Sequence, residues 1–299
     1  MDSLNIKASL LSLISHDGTG LDTLVHFTPI IQCPKICNTT TSYNLLMDVE
    51  TYLARLQYFK PVKPDVQTLQ GLHLAHIQNV PFGNLDIGLK RPIRLTEEAL
   101  WDKIVIQKRE GFCYELNGLF AWLLKQIGFG VTYLNARVYN RQGKPGIDFD
   151  HLALLVQVPQ QTDRWLADVG FGDSFNLPLD FEERGEQVQG LRSYRLEQTR
   201  EGYITWQKNY DDSWERQYFF DLQPRKFPDD YESACSYHQT SPRSSFTRGS
   251  IISRATLDGR VSLEDEQLIL TKSGQRLVRP INKHEYQVLL EEYFSFRLQ

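Results

Sequence analysis

In the stretch Arg109-Glu110-Gly111-Phe112-Cys113-Tyr114-Glu115-Leu116-Asn117-Gly118 one cysteine stands where a glycine-containing turn gives way to a helical pattern. A thiol at a helix N-terminus meets unpaired backbone N–H groups and the positive end of the helix dipole. Both lower a thiol pKa from about 8.5 and raise the thiolate fraction near neutral pH. The same placement also fits an unreactive cysteine packed in a core. Two further features favour chemistry. Asp150-His151-Leu152-Ala153-Leu154-Leu155-Val156 puts a histidine at the mouth of an apolar run of strand length. Leu166-Ala167-Asp168-Val169-Gly170-Phe171-Gly172 puts a carboxylate near the end of the following strand. If these strands pair as antiparallel neighbours, Asp168 accepts from one ring nitrogen of His151 and fixes its tautomer. The other nitrogen then takes the Cys113 proton, which makes a nucleophile, base and orienting acid.

Those three residues need elements to hold them. Residues 47 to about 135 carry a mostly helical period. Asp48 caps a helix through Tyr58 with Val49, Tyr52, Leu53 and Leu56 on one face. A second helix spans Val66 to Ile77 and a third Thr96 to Ile106. A fourth, Cys113 to Ile127, carries Leu116, Leu119, Phe120, Leu123 and Leu124 and ends at Gly128. From Gly130 the pattern turns to strands: 131–134, 136–139, 151–158, 164–169, and a hairpin of 194–196 with 203–206. After Pro228 a short helix (231–238), strands at 249–255, 260–263 and 268–271, and a last helix at 283–294 follow. Helices, then strands, then a mixed region describe an α+β chain in three parts: 47–135, 136–227 and 228–299. Residues 1–46 lack a sustained period and read as a poorly ordered or loosely docked extension.

The 299-residue chain is long enough to bury a substantial core. Hydrophobic residues are 41% and charged residues 23%, which excludes disorder of the whole chain. The net charge of −4 argues against a nucleic-acid coat. No apolar stretch approaches the ~20 residues of a membrane helix, and no signal peptide is evident. The cysteines, Cys33, Cys37, Cys113 and Cys235, are too few for a disulfide framework, so a reducing cytoplasm is expected. Neither the Cys33/Cys37 spacing nor the His73/His76 pair brings a full ligand set, so no metal is expected.

The chain order Cys, His, Asp is similar to that of papain-type and transglutaminase-type enzymes. More specifically, the sequence resembles the arylamine N-acetyltransferases from about Met47 to the C-terminus. The resemblance is carried by Val80-Pro81-Phe82-Gly83-Asn84-Leu85-Asp86-Ile87, the Arg109–Gly118 segment, Asp150-His151, Asp168-Val169-Gly170-Phe171-Gly172, and Thr240-Ser241-Pro242-Arg243-Ser244-Ser245-Phe246-Thr247. It implies a helical bundle carrying the nucleophile, a β-barrel carrying His and Asp, and an α/β lid. It implies a ping-pong reaction in which Cys113 takes an acetyl group from acetyl-CoA and passes it to an arylamine, arylhydroxylamine or hydrazine. It places Phe171, Phe149 and Asp150 at the acceptor pocket and its entrance, and Tyr237 and Arg243 near the CoA cleft. Small molecules are then the partners, not nucleic acid or membrane.

Two positions depart from the family pattern. Gly83 stands where a Glu commonly partners the Arg before the cysteine, and Glu110 stands where the family has Gly. Arg109 must find another acceptor, Glu110 or Glu115, with Glu110 expected to face Arg109 or solvent. Two other readings of the same fold stay open: an amide synthase or thiol hydrolase with a different acyl donor, and a non-catalytic binding module.

Overall fold

Asp48 and Asp65 start the first two helices as caps. Their carboxylates accept from Thr51 N and Thr68 N, each at 2.8 Å. They open α1 (Val49–Arg55) and α2 (Val66–Asn79). A single turn, α3 (Leu85–Gly88), follows. Thr96 caps α4 (Glu97–Trp101), which runs on into a π-helical turn, Asp102–Ile106. The sequence period suggests one α-helix through Ile106; the backbone instead widens there, and Lys103 within the π turn is buried. The helix α5 (Cys113–Ile127) matches the sequence reading, with Gly128 at φ +107° as its left-handed cap. Twelve of its residues, Cys113 through Leu124, are buried. It is therefore the axis of the helical core rather than a surface helix.

This computed structural model describes residues 47–209 and 211–298. The expectations for residues 1–46, including Cys33 and Cys37, lie outside the described residues.

Eight antiparallel strands follow: β2 (Gly130–Val138), β3 (His151–Gln157), β4 (Arg164–Ala167), β5 (Leu179–Asp180), β6 (Gln187–Gln189), β7 (Arg192–Gln198), β8 (Tyr203–Lys208) and β9 (Trp214–Phe220). Their order is β5-β4-β3-β2-β9-β8-β7-β6, after a short two-residue strand β1 (Phe82–Gly83) earlier in the chain. The sheet thus begins at Gly130, and β2 runs across residue 135. Side chains close the sheet's two edges on each other. Gln187 bonds Asp180 N and O at 2.9 Å each, and the Gln189 side chain accepts from Leu177 N at 2.9 Å and donates to Leu177 O at 2.8 Å. Amides at alternate positions replace a backbone ladder and blunt both strand edges. The interior is filled by Tyr194, Tyr218, Phe175, Phe181 and Phe220.

A second sheet, β1-β10-β11-β12-β13, contains β10 (Ile251–Ala255), β11 (Gly259–Glu264), β12 (Gln267–Lys272) and β13 (Gln275–Pro280). Its outer partner β1 comes from the helical segment, with Phe82 opposite Ser253 and Gly83 opposite Ile252. Asn84 secures the join: its amide accepts from Ile251 N at 2.7 Å and donates to Phe246 O and Gly249 O. The helix α6 (Glu232–Thr240) and α7 (Lys283–Phe294) complete the chain. Strands β5, β6, β9 and β13 and the pair β1 escape the sequence reading, because they are two or three residues long or lack a clear alternation.

Candidate active site

Strands β3 and β4 are antiparallel neighbours, with Leu154 opposite Ala167. His151 at the start of β3 and Asp168 just past β4 therefore meet, and His151 Nε2 lies 2.7 Å from Asp168 Oδ2. Both are buried. Burial presses the Asp168 carboxyl up, yet His151, the Asn117 amide and the Gly170 N–H together hold it below its ordinary value. Those donors stand at 2.8 Å (Asn117 Nδ2) and 3.0 Å (Gly170 N) from Oδ1. Asp168 thus stays ionised in the interior.

Cys113 begins α5, as expected. The Leu152 N–H donates to its thiol, which puts Sγ beside the peptide joining His151 and Leu152. Burial pushes the thiol well above its ordinary value, outweighing that hydrogen bond. This reverses the expectation drawn from the helix terminus alone: a thiol at this depth loses more to desolvation than the dipole returns. A thiolate at this depth needs a cation alongside it. Gly170 makes the close approach possible. A Cβ there would lie 2.8 Å from Cys113 Cα and 2.8 Å from Asn117 Nδ2.

Sequence reasoning missed two holders. Asn117, one turn after Cys113 on α5, donates to Leu152 O at 2.6 Å as well as to Asp168, and accepts from Val169 N at 2.9 Å. One amide thereby ties the cysteine's helix to the strands of both partners. A buried Asn four residues after Cys113 was the available signal. His73 on α2 accepts from Asp168 N at 3.1 Å through Nε2. Its Nδ1 therefore carries the proton that goes to Asn176 O, 2.9 Å away. Burial pushes His73 down to about 4. Nothing in the sequence links position 73 to position 168.

Behind the N-terminus of α5 lies a buried charge cluster. Glu115 Oε2 accepts from Phe112 N at 3.1 Å, which caps the helix, and its other oxygen meets Lys103 Nζ at 2.7 Å. Lys103 reaches Asp86 at 2.8 Å, and Asp86 reaches Arg109 at 2.7 Å. Arg109 also meets Glu110 at 3.0 Å. The Arg109 question is answered by Asp86 and Glu110. Glu110 is fully buried rather than facing solvent, and it occupies the room left by Gly83, whose Cβ would stand 2.7 Å from Glu110 Cγ.

The other residues singled out in the sequence fall around this centre. Phe171 lies edge-on to His151, with ring centroids 5.3 Å apart, and lines a small cavity with Phe82 and Asp168. Phe149 sits at φ +59°, held by Tyr114 Oη donating to its carbonyl at 2.5 Å and by its own N–H donating to Asn135 at 2.6 Å. A phenylalanine there is strained. The Asp150 carboxylate accepts from Val138 N at 3.2 Å and lies 3.2 Å from His238 Nε2 on α6. Tyr237 packs its ring against that of His238, and Arg243 is exposed in the turn after α6. Among the described residues no group of three His, Cys, Asp or Glu side chains is arranged to hold a metal ion, and no helix is long and apolar enough to cross a membrane.

Comparison with known proteins agrees with this architecture. Residues 65–299 match the family model described as N-acetyltransferase, so the chain is an acetyltransferase by class. Arylamine N-acetyltransferase from Mycolicibacterium smegmatis is 35% identical over 235 residues, 77% of this chain and 84% of that protein. Homo sapiens arylamine N-acetyltransferase 1 is 34% identical over 278 residues, 85% of this chain and 95% of that one. The solved structure of Mycobacterium marinum arylamine N-acetyltransferase in complex with CoA superimposes with a TM-score of 0.77 at 29% identity, covering 83% of this chain and 92% of that one. The chain belongs to the arylamine N-acetyltransferase family and has its α+β fold.

Proposed function

We propose that this protein transfers acetyl groups from acetyl-CoA to an arylamine, arylhydroxylamine or hydrazine through a thioester on Cys113. The observation that carries the reading is the buried 2.7 Å His151–Asp168 pair beside a cysteine at a helix N-terminus. Asp168 takes His151 Nε2 and leaves Nδ1 to accept the Cys113 proton. The thiolate attacks the thioester carbonyl, and the C–S bond to CoA breaks with His151 returning a proton to the leaving thiol. The Cys113 N–H is the donor at hand for the oxyanion. The acceptor amine then attacks the acyl-enzyme and gives its proton to His151; the acyl–Sγ bond breaks, the amide leaves, and His151 returns the proton to Cys113. Phe171 lines the acceptor pocket, Phe149 and Asp150 shape its entrance, and Tyr237 and Arg243 lie along the CoA cleft. The working division is a helical bundle at 47–135, a barrel at 136–227 and a lid at 228–299. The setting is a reducing cytoplasm, with xenobiotic amines among the acceptors.

Intact mass spectrometry after brief exposure to acetyl-CoA without acceptor tests this. The parent should gain one acetyl group, lose it on adding an arylamine or hydrazine, and Cys113→Ala should gain none. No gain on a parent whose Cys113 is still alkylated by a thiol reagent would move the chain to a different acyl donor.

A further inference from the structure

A cleft of about 440 Å³ opens between the β6–β7 turn of the barrel and the turns of the second sheet. Two of its lining residues, Ser174 and Arg260, also line the cavity of about 20 Å³ that holds Asp168, Phe171 and Phe82. The cleft is thus the outer part of a path that narrows towards Asp168. Its chemistry is set by one carboxylate between two guanidinium groups. Asp173 Oδ1 accepts from Arg192 Nη1 at 2.6 Å and from Arg260 Nε at 3.0 Å, and Oδ2 accepts from Arg192 Nη2 at 3.1 Å. Arg260 Nη1 donates to Ser253 Oγ at 2.9 Å. The remaining charged lining residue, Asp258, is 3.4 Å from Lys272. Within the lining, Arg192 and Arg260 thus face Asp173 and Asp258, and the two guanidinium groups share the Asp173 carboxylate. Burial, with the Arg192 cation nearby, holds the Arg260 pKa below its ordinary value despite Asp173. In the same cleft, the Ser174 hydroxyl is 92% buried by residue and has no hydrogen-bond partner among the described residues. A buried unpaired hydroxyl and a buried guanidinium lining the same two cavities are a donor set that an anionic oxygen group completes.

We propose that Arg260 and Ser174 form an anion subsite that holds the negatively charged oxygen group of a substrate. This rests on the acetyl-transfer reading and deepens it. Two substrates could bring the group, a carboxylate on the acceptor ring or a phosphate of the donor. The test uses Arg260→Gln, which leaves Asp173 its two bonds to Arg192, and Ser174→Ala, which removes no existing bond. The kcat/KM of each is measured with acetyl-CoA or phosphate-free acetylpantetheine as donor, and 4-aminobenzoate or uncharged 4-methylaniline as acceptor. For Arg260→Gln the ratio of charged to uncharged substrate should fall about tenfold to hundredfold, and for Ser174→Ala by less. A fall in the 4-aminobenzoate to 4-methylaniline ratio with either donor assigns the subsite to the acceptor. A fall in the acetyl-CoA to acetylpantetheine ratio with either acceptor assigns it to the donor. Unchanged ratios in both comparisons overturn it. Calorimetric binding of 4-aminobenzoate and of CoA, parent against Arg260→Gln, separates this from the chemistry. If Cys113 is never acetylated but Arg260→Gln still weakens one of them tenfold, the subsite stands and the acetyl-transfer reading fails.

Discussion

The N-terminus of α5 is held from two sides, and the two sides use opposite electrostatics. Behind it, Asp86, Lys103, Arg109, Glu110 and Glu115 form an open chain of ion pairs at 2.7–3.0 Å, three carboxylates against two cations. In front of it one carboxylate, Asp168, is surrounded by donors from Asn117, Gly170 and His151, while neutral His73 accepts from its backbone. Each member of the rear cluster has an opposite charge alongside it, and the cluster fixes position. The front turns a carboxylate held by fixed donors towards the His151 ring. Buried charge pairs are sensitive to losing one member but do no chemistry; a lone carboxylate held by fixed dipoles can stabilise an imidazolium that comes and goes. The difference separates what places Cys113 from what would activate it.

Removing the front charge should have the largest effect. Asp168→Asn keeps the shape but gives His151 the wrong partner, and should slow acetylation of Cys113 about 10³–10⁴-fold with little change in unfolding midpoint. Single-turnover mass spectrometry and a urea melt on one preparation check both halves. Cutting the rear cluster should do the reverse. Lys103→Met strips Asp86 and Glu115 of their shared cation and should cost about 3–5 kcal/mol of stability. A loss under 1 kcal/mol in the melt would mean that water reaches those carboxylates. His73 sharpens the contrast through pH. Its pKa falls from 6.5 when unfolded to about 4 when folded. The unfolded chain therefore binds the extra proton first, and stability is full above the unfolded value and drains away as pH falls towards the folded one. The loss should total about 3 kcal/mol. Melts at pH 7, 5.5 and 4.5 should show it in the parent, and His73→Gln should show a flatter profile from a lower starting stability.

The front side was largely legible in the sequence and the rear was not, for physical reasons. A cysteine opening a strongly apolar helix, a histidine opening an apolar strand and a carboxylate closing the next one mark themselves by local pattern. Antiparallel pairing of adjacent strands then brings His151 and Asp168 together without further information. The protonation of Cys113 could not be read the same way, since burial depends on everything packed over the site. Asn117 and His73 look like ordinary polar positions on helices, and their partners are 51 and 95 residues away in the chain. The rear cluster depends on a π turn that carries Lys103 inward, which no period in the sequence announces. The short strands that close the barrel and join β1 to β10 are fixed by side-chain amides at Gln187, Gln189 and Asn84, so their own composition carries little signal.

The finest test of the rear side concerns Gly83 and Glu110. The backbone at Gly83 is ordinary strand, so conformational freedom does not explain the glycine. Space does: an added Cβ meets Glu110 Cγ at 2.7 Å and Ile251 O at 3.1 Å. Gly83→Ala should cost about 1–3 kcal/mol, the usual penalty for overpacking a filled interior. Glu110→Gly empties that space but takes a partner from Arg109, so it should destabilise by itself. In the Glu110→Gly background the methyl group meets only the Ile251 carbonyl, and Gly83→Ala should become nearly neutral. The two changes would then couple by about the whole single-mutant cost, well above the 0.3–0.5 kcal/mol or so within which independent sites add. Urea melts of the four proteins measure it. Equal costs of Gly83→Ala in both backgrounds would place the strain at Ile251 O and the β1–β10 pairing, and would leave Arg109 as the only reason for a carboxylate at 110.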